Sequence, residues 1–287
     1  MSERVIGARI VIVGLLLCTV GVVWWPAATA AGPAGSFLTV RFLDVGQGDA
    51  IHIMTPDGYE MLVDGGPSAS VLRELAKGRS FFDRSIDVVV ATHPDTDHVA
   101  GLVDVLERYE VGILVETAAE HDAPAAVAYQ RAAGGEAARR IIAQAGQVIR
   151  LGASTTVRIL SPQGDTTNWE NNAASIILQV QYGDIAFMLT GDAPSGIEDY
   201  LAGAFGAGLQ SEVLKLGHHG SDTSSSAPFL AAVQPQYAVV SAGKDNRYGH
   251  PKQGVLTRAR EAGAEIVSTA AQGTITFETD GKTVWQK

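Results

Sequence analysis

The sequence holds a single cysteine, Cys18, and it lies in an apolar run near the N-terminus, away from every polar motif further along. That position excludes a disulfide framework and excludes thiolate ligation of a metal beyond that run, so any ligation must use nitrogen and oxygen. Basic residues are scarce: 21 Lys and Arg stand against 31 Asp and Glu, for a net charge of −10. Tight, sequence-independent grip on a nucleic-acid backbone needs clustered Lys and Arg, so the balance argues against long DNA as a firmly held partner. It does not exclude a nuclease, because bound divalent ions add positive charge where a scissile phosphate sits. Low-complexity tracts and internal repeats are also lacking, and the apolar content suffices for a full core.

A long membrane-spanning run is missing as well. The apolar segment 10–25 is about sixteen residues, short of the roughly twenty that cross a bilayer. Arg4 and Arg9 precede it; Pro26, the small residues of 27–35 and an A-x-A-like Ala28-Thr29-Ala30 follow it. Residues 1–35 therefore read as a cleaved signal peptide, with a retained single membrane anchor as the alternative. Both place 36–287 outside the cytoplasm, periplasmic or extracellular, because the positive flank stays inside. Membrane contact is expected only if the segment is retained. Leu15-Leu16-Leu17 lacks the small residues of a lipobox before Cys18.

What the chain does have is His93-Pro94-Asp95-Thr96-Asp97-His98, directly after the apolar run Ile86-Asp87-Val88-Val89-Val90-Ala91-Thr92. Four metal-capable side chains fall within six residues at the end of what reads as a buried parallel strand. Imidazole nitrogen and carboxylate oxygen suit zinc and harder ions such as manganese. Alternate positions share a side at a strand end, so His93, Asp95 and Asp97 can converge while His98 opens the next helix. The bland alternative makes Asp97 a helix N-cap and His98 a solvated first-turn residue.

Around this motif the pattern predicts strands at 37–45, 50–54 and 60–63, with a turn at Pro56-Asp57-Gly58. A helix over 68–77 precedes the metal loop, and a helix over 99–108 and a strand at 111–115 follow it. The Ala-rich segment 122–145, broken at Gly134-Gly135, reads as one or two outer helices. Strands are expected at 155–160, 173–182, 185–189, 212–216, 237–240, 265–267, 274–278 and 283–285, with helices after Pro194, near 227–233 and near 254–261. Strand-rich halves with outward helices fit an α/β fold of four layers, an αββα sandwich, with ligands gathered from loops at one edge of its sheets. His121 reads as an exposed residue at a helix start, and His52, alternating with Ile51 and Ile53, as a sheet-surface residue.

The spacing resembles the H-x-H-x-D-H signature of the metallo-β-lactamase fold, with Asp95 where the second histidine usually stands. The resulting H-x-D-x-D-H is similar to the variant in the soluble domain of ComEC-type competence proteins. Phe42-Leu43-Asp44-Val45-Gly46-Gln47-Gly48-Asp49-Ala50, Leu214-Lys215-Leu216-Gly217-His218-His219-Gly220-Ser221 and Asn246-Arg247-Tyr248-Gly249-His250-Pro251 resemble that group's other motifs, in the same order.

The resemblance implies two divalent ions, zinc or manganese, with an activated hydroxide between them. It implies His93, Asp95, Asp97, His98 and Asp192 as ligands, Asp192 bridging, with Asp64 bracing the metal loop from behind. Asn172 stands near where other members carry a third histidine, which makes one ion poorer in protein ligands. His218 is expected as the last ligand and His219 as the substrate contact, the reverse assignment staying open. Lys215 and Ser221 are expected to touch an anionic substrate, and His250 to contact a phosphoryl oxygen or protonate the leaving group; ligation by His250 is the alternative. The substrate implied is a phosphodiester, such as single-stranded DNA. Two other readings stand beside it: an envelope phosphocholine-type esterase, and a non-catalytic partner of a DNA-uptake channel.

Overall fold

The computed structural model describes residues 37–77, 79 and 83–287, so the expected signal peptide or anchor lies outside the described residues. In chain order the strands are β1 (Leu38–Phe42), β2 (Ile51–Met54), β3 (Glu60–Val63), β4 (Ser85–Ala91), β5 (Glu110–Glu116), β6 (Arg139–Ile142), β7 (Val148–Leu151), β8 (Thr155–Ser161), β9 (Ile177–Tyr182), β10 (Ile185–Leu189), β11 (Val213–Lys215), β12 (Tyr237–Val240), β13 (Glu265–Ser268), β14 (Ile275–Thr279) and β15 (Val284–Gln286). The helices are α1 (Ser70–Leu75), α2 (Thr96–Leu106), α3 (Pro124–Gly135), α4 (Ser195–Phe205), α5 (Ala227–Val233), α6 (Gln253–Glu261) and the short α7 (Thr269–Gln272).

Two mixed sheets form from these strands, in the orders β15-β14-β1-β2-β3-β4-β5-β6 and β13-β12-β11-β10-β9-β8-β7. Period-two alternation sorts each strand between two cores. Leu38, Val40 and Phe42 of β1, Val88 and Val90 of β4, and Phe187 and Leu189 of β10 meet between the sheets. On the far side of β4, Val89 and Ala91 pack beneath α2 through Val99, Leu102 and Val105. Met188 and Leu214 do the same beneath the helices of the second sheet. Each such side chain contributes about 1.5–3 kcal/mol by leaving water, which is why strands covered on both faces read as unbroken apolar runs. The four-layer αββα sandwich is thus the observed fold. Its last strands return to the first: β14 pairs antiparallel with β1, Leu38 opposite Thr279.

Three expectations need correction. Segment 122–145 is helical only to Gly135; Arg139–Ile142 pairs with β5 as β6, where Arg140 Nε donates to Glu116 Oε1 at 2.6 Å. Tertiary pairing overrides the alanine-rich helical pattern there. The first residues of the expected strand 173–182 form a short 3₁₀ turn, Asn172–Ala174, and pairing begins only at Ile177. His52 is buried on the outer face of its sheet, its Nε2 3.0 Å from Glu60 Oε2, which Arg79 also approaches at 2.6 Å. His121 is exposed, and its Nδ1 accepts the Ala123 N–H at 3.1 Å.

Candidate metal centre

In each sheet four strands run parallel, β3 to β6 and β10 to β13, and ligand-type residues leave their carboxyl ends at one edge of the sandwich. β4 runs straight into His93, and α2 opens so that His98 faces inward. Asp95 occupies the N-cap position of α2 but makes no capping bond; its Oδ1 accepts from Asn171 Nδ2 at 2.6 Å. His93 and His98 are buried with ring centroids 4.1 Å apart. From the second sheet, β10 ends in Thr190-Gly191-Asp192, and the Asp192 N–H donates to Ser175 Oγ at 3.2 Å.

After β11 the chain turns through Gly217–Gly220 with both histidines in the left-handed region, His218 at φ 48° and His219 at φ 55°. Each such residue costs about 1–2 kcal/mol, so the turn holds only because its surroundings fix it. The His218 N–H reaches Gly191 O at 3.2 Å, and the Ser221 N–H returns to His218 O at 2.9 Å.

Second-layer partners decide where each imidazole points. His98 Nδ1 donates to Asp64 Oδ2 at 2.8 Å, while Asp64 also accepts the Thr92 N–H at 2.8 Å and the Thr92 hydroxyl at 2.7 Å. His219 Nδ1 donates to Ser241 O at 2.8 Å, and His93 Nδ1 lies 3.0 Å from Thr92 Oγ1. A carboxylate or carbonyl can only accept, so the Nδ1 of His98 and of His219 carries the proton and turns Nε2 inward. There the Nε2 atoms of His93, His98 and His219 are buried without hydrogen-bond partners. They surround Asp192, at 3.9 Å from Oδ2, 3.4 Å from Oδ1 and 3.4 Å from Oδ2 respectively. Asp97 Oδ2 stands 3.2 Å from His219 Nε2, and Asp95 Oδ2 3.8 Å from His93 Nε2.

The electrostatics favour added positive charge. Burial opposes protonation of His219, yet Asp192 and Asp49 raise it to about 9. His98 is likewise held well above its ordinary value by Asp192 and Asp64 against its burial. Burial would raise Asp97, but His219, 3.2 Å away, and the nearby His98 bring it down to about 2. His93 goes the other way, lowered to about 3 by burial and by His98, so it presents a free lone pair. Ligand atoms lie within 4.8 Å of one another in the groups His93–His98–Asp192, Asp97–His98–His219, Asp49–Asp192–His219 and Asp49–Asp64–His98. Orphaned inward nitrogens among carboxylate oxygens fit divalent cations of the zinc or manganese type.

Residues 43–244 match the family model described as the metallo-beta-lactamase superfamily. The chain belongs to the metallo-β-lactamase superfamily. It is 32% identical over 238 residues to competence protein ComA of Neisseria gonorrhoeae, covering 83% of this chain and 32% of that protein. It is 27% identical to ComE operon protein 3 of Bacillus subtilis, covering 94% of this chain and 36% of that one. The chain thus spans about a third of the length of these relatives. The fold is shared with the metallo-beta-lactamase fold protein YhfI from Bacillus subtilis at a TM-score of 0.52 and 13% identity, covering 86% of this chain and 99% of that one.

Within this metallo-β-lactamase-superfamily site, several expected residues are placed differently. His219, expected to meet substrate, is buried within the ligand groups, whereas His218 is 27% exposed with its Nε2 3.7 Å from Asp192 Oδ2. Both residues sit in a left-handed turn rather than at an extended strand end, and it is His219 that this turn carries inward. Lys215 is not available to substrate: it is fully buried and paired with Asp49. Asn171, not Asn172, holds Asp95; Asn172 Oδ1 is buried without a partner. His250 stands outside the ligand groups, its ring 5.5 Å from that of His218. Asn246 fixes it by accepting the His250 N–H at 3.0 Å and donating to its carbonyl at 2.6 Å. Asp49 was missed as a site residue, although it stands in the Gly46-Gln47-Gly48-Asp49 turn. Gly48 before it, at φ 139°, lets the loop approach so closely that a Cβ there would collide with the Asp97 carbonyl.

Proposed function

We propose that this chain is an exported metal-dependent phosphodiesterase acting through two divalent ions, zinc or manganese. The observation that carries the proposal is the set of three buried, unpartnered Nε2 atoms around Asp192, two of them on rings fixed by an Nδ1 donation to a carboxylate or carbonyl. His93, Asp95 and Asp192 would hold one ion; Asp97, His98, His219 and Asp192 the other. Bound there, the ions would polarise a phosphoryl oxygen and make water acidic enough to attack at neutral pH. Asp64, Thr92 and Ser241 orient the imidazoles, and Asn171 holds the Asp95 carboxylate. His218 and His250 face the mouth, where His218 contacts the substrate and His250 delivers a proton to the leaving oxygen. Three carboxylates in the ligand set favour hard ions and hard phosphate oxygens over softer substrates. The competence names of the relatives fit a substrate such as single-stranded DNA, held at the ions rather than along a basic surface.

The test is a panel on metal-reconstituted full-length protein, with single-stranded DNA, bis-p-nitrophenyl phosphate, a phosphocholine ester and nitrocefin. Hydrolysis of a phosphodiester under zinc or manganese, with negligible nitrocefin turnover, is expected. Efficient nitrocefin cleavage without phosphodiester hydrolysis would overturn the proposal. Activity confined to the phosphocholine ester would move the substrate to the cell envelope, and protein that binds no metal would indicate a non-catalytic partner.

A further inference from the structure

Asp49 and Lys215 come from opposite sheets and meet beneath Asp192. Lys215 ends β11, and its side chain has no exposure to solvent. Its Nζ donates to Asp49 Oδ2 at 2.5 Å and to Gly191 O at 2.9 Å, and stands 3.5 Å from Asp192 Oδ1. Asp49 belongs to the loop between β1 and β2. Its N–H reaches Asp97 O at 3.2 Å, its carbonyl accepts the Gly66 N–H at 2.8 Å, and its Oδ1 lies 3.4 Å from His219 Nδ1. One step earlier, Gly48 O accepts the Ser241 hydroxyl at 2.9 Å.

A lysine at a strand end is ordinarily a solvated residue, which complete burial rules out here. Nor is a buried ion pair an efficient stabiliser, since well-packed apolar replacements are often neutral or better. What the pair supplies is placement and charge. It ties the β1–β2 loop, which bonds the first turn of α2 at Asp97, to the end of β10 that leads to Asp192 and the turn that carries His219. It also engages Oδ1 of Asp192, while Oδ2 faces His93, His218 and His219. Among the five clustered carboxylates, Asp49, Asp64, Asp95, Asp97 and Asp192, Lys215 neutralises one, and the remainder match the charge of two divalent ions.

We propose that Asp49 and Lys215 form a positioning strut across the two sheets, keeping the ligands of each sheet in register and completing the charge balance for a pair of divalent ions. The inference rests on the two-ion reading above. It is tested on the full-length protein by zinc titration calorimetry, by elemental analysis, and by thermal unfolding of the chelator-treated protein. The double variant Asp49→Asn/Lys215→Met removes the strut without leaving a bare buried charge. Asp49→Asn alone keeps the volume and an acceptor for Lys215, and leaves the lysine charge facing the ions. The double variant is expected to unfold at the wild-type temperature when metal-free, and Asp49→Asn at a lower one, because it leaves the buried Lys215 charge without its counter-ion. Both are expected to bind zinc about 10–100-fold more weakly, as for other residues that orient metal ligands. Wild-type zinc affinity and stoichiometry in Asp49→Asn would overturn the strut alone. A loss of affinity in the double variant that merely follows a lower metal-free unfolding temperature would also overturn it. Wild-type protein that binds no zinc or manganese would overturn the two-ion reading as well.

Discussion

Replacing Asp64 by Asn is the sharpest perturbation, because it changes one atom behind the site and none at its surface. Asp64 is buried and accepts three hydrogen bonds, from the Thr92 N–H, the Thr92 hydroxyl and His98 Nδ1. Truncation to Ala would leave the Thr92 N–H and the His98 Nδ1–H buried and unsatisfied, at about 1–3 kcal/mol each. The sum, about 2–6 kcal/mol, approaches the ~5–15 kcal/mol stability of a typical domain, so Asp64→Ala is expected to misfold in part. Asp64→Asn avoids this. Its oxygen keeps the Thr92 N–H, while its amide presents a donor to His98 Nδ1, which must then accept. The ring proton moves to Nε2, the atom that faces Asp192, and that nitrogen can no longer ligate. Zinc affinity is expected to fall about 10–100-fold, or about 1.4–2.8 kcal/mol, with the metal-free unfolding midpoint little changed. Titration calorimetry on chelator-stripped protein measures the first, and urea unfolding the second. Wild-type zinc affinity in Asp64→Asn would refute the argument that this carboxylate sets the His98 tautomer.

His219→Ala is expected to lose metal by elemental analysis while His218→Ala keeps it and slows turnover; the opposite pattern would restore His218 as the ligand. His250→Ala should lower phosphodiester turnover by about 10²–10⁴ with metal content unchanged, whereas loss of one metal equivalent would make His250 a ligand. Glu198 is fully buried beneath the turn after β11, where burial pushes it up to about 7 although the Ser225 and Ser226 N–H groups donate to it. Its folded value lies above its ordinary 4.5, so the stability it contributes is complete below about pH 4.5 and lost as pH rises through about 7, roughly 3 kcal/mol in all. Glu198→Gln should remove that slope, and unfolding free energies whose difference from wild type stays constant between pH 4.5 and 8 would refute it.

The elements most legible in the sequence were those whose pattern has a single physical cause. Val88, Val89 and Val90 are covered on both faces, and the ligands follow where that strand stops. β6 was illegible because its exposed Arg139 and Arg140 have no strand pattern of their own and pair only through β5 and Glu116. His52 looked superficial because one strand does not reveal that Arg79 and Glu60 close over it. Asp49 was hidden for a related reason: its partner is 166 positions away in Lys215, and nothing local marks a loop aspartate as the counter-ion of a buried lysine. The His218-His219 assignment required a backbone angle. Adjacent residues on a strand point apart, and in a left-handed turn they need not.

The pairing of β14 with β1 has a consequence for how such a unit can be carried in a longer polypeptide. Gln286 pairs with Phe277, which itself pairs with Val40, so the last strand ends two strand spacings, about 10 Å, from the middle of the first. The first and last strands therefore lie close together at one side of the sheet, and the sandwich could be spliced into a host protein there without prising its sheets apart. The same proximity means that a short linker could join the two ends and the ring be reopened at the exposed Asp57-Gly58 turn. Such a rewired chain should still bring both halves of the ligand set together, since no ligand lies on the strands whose connection would change.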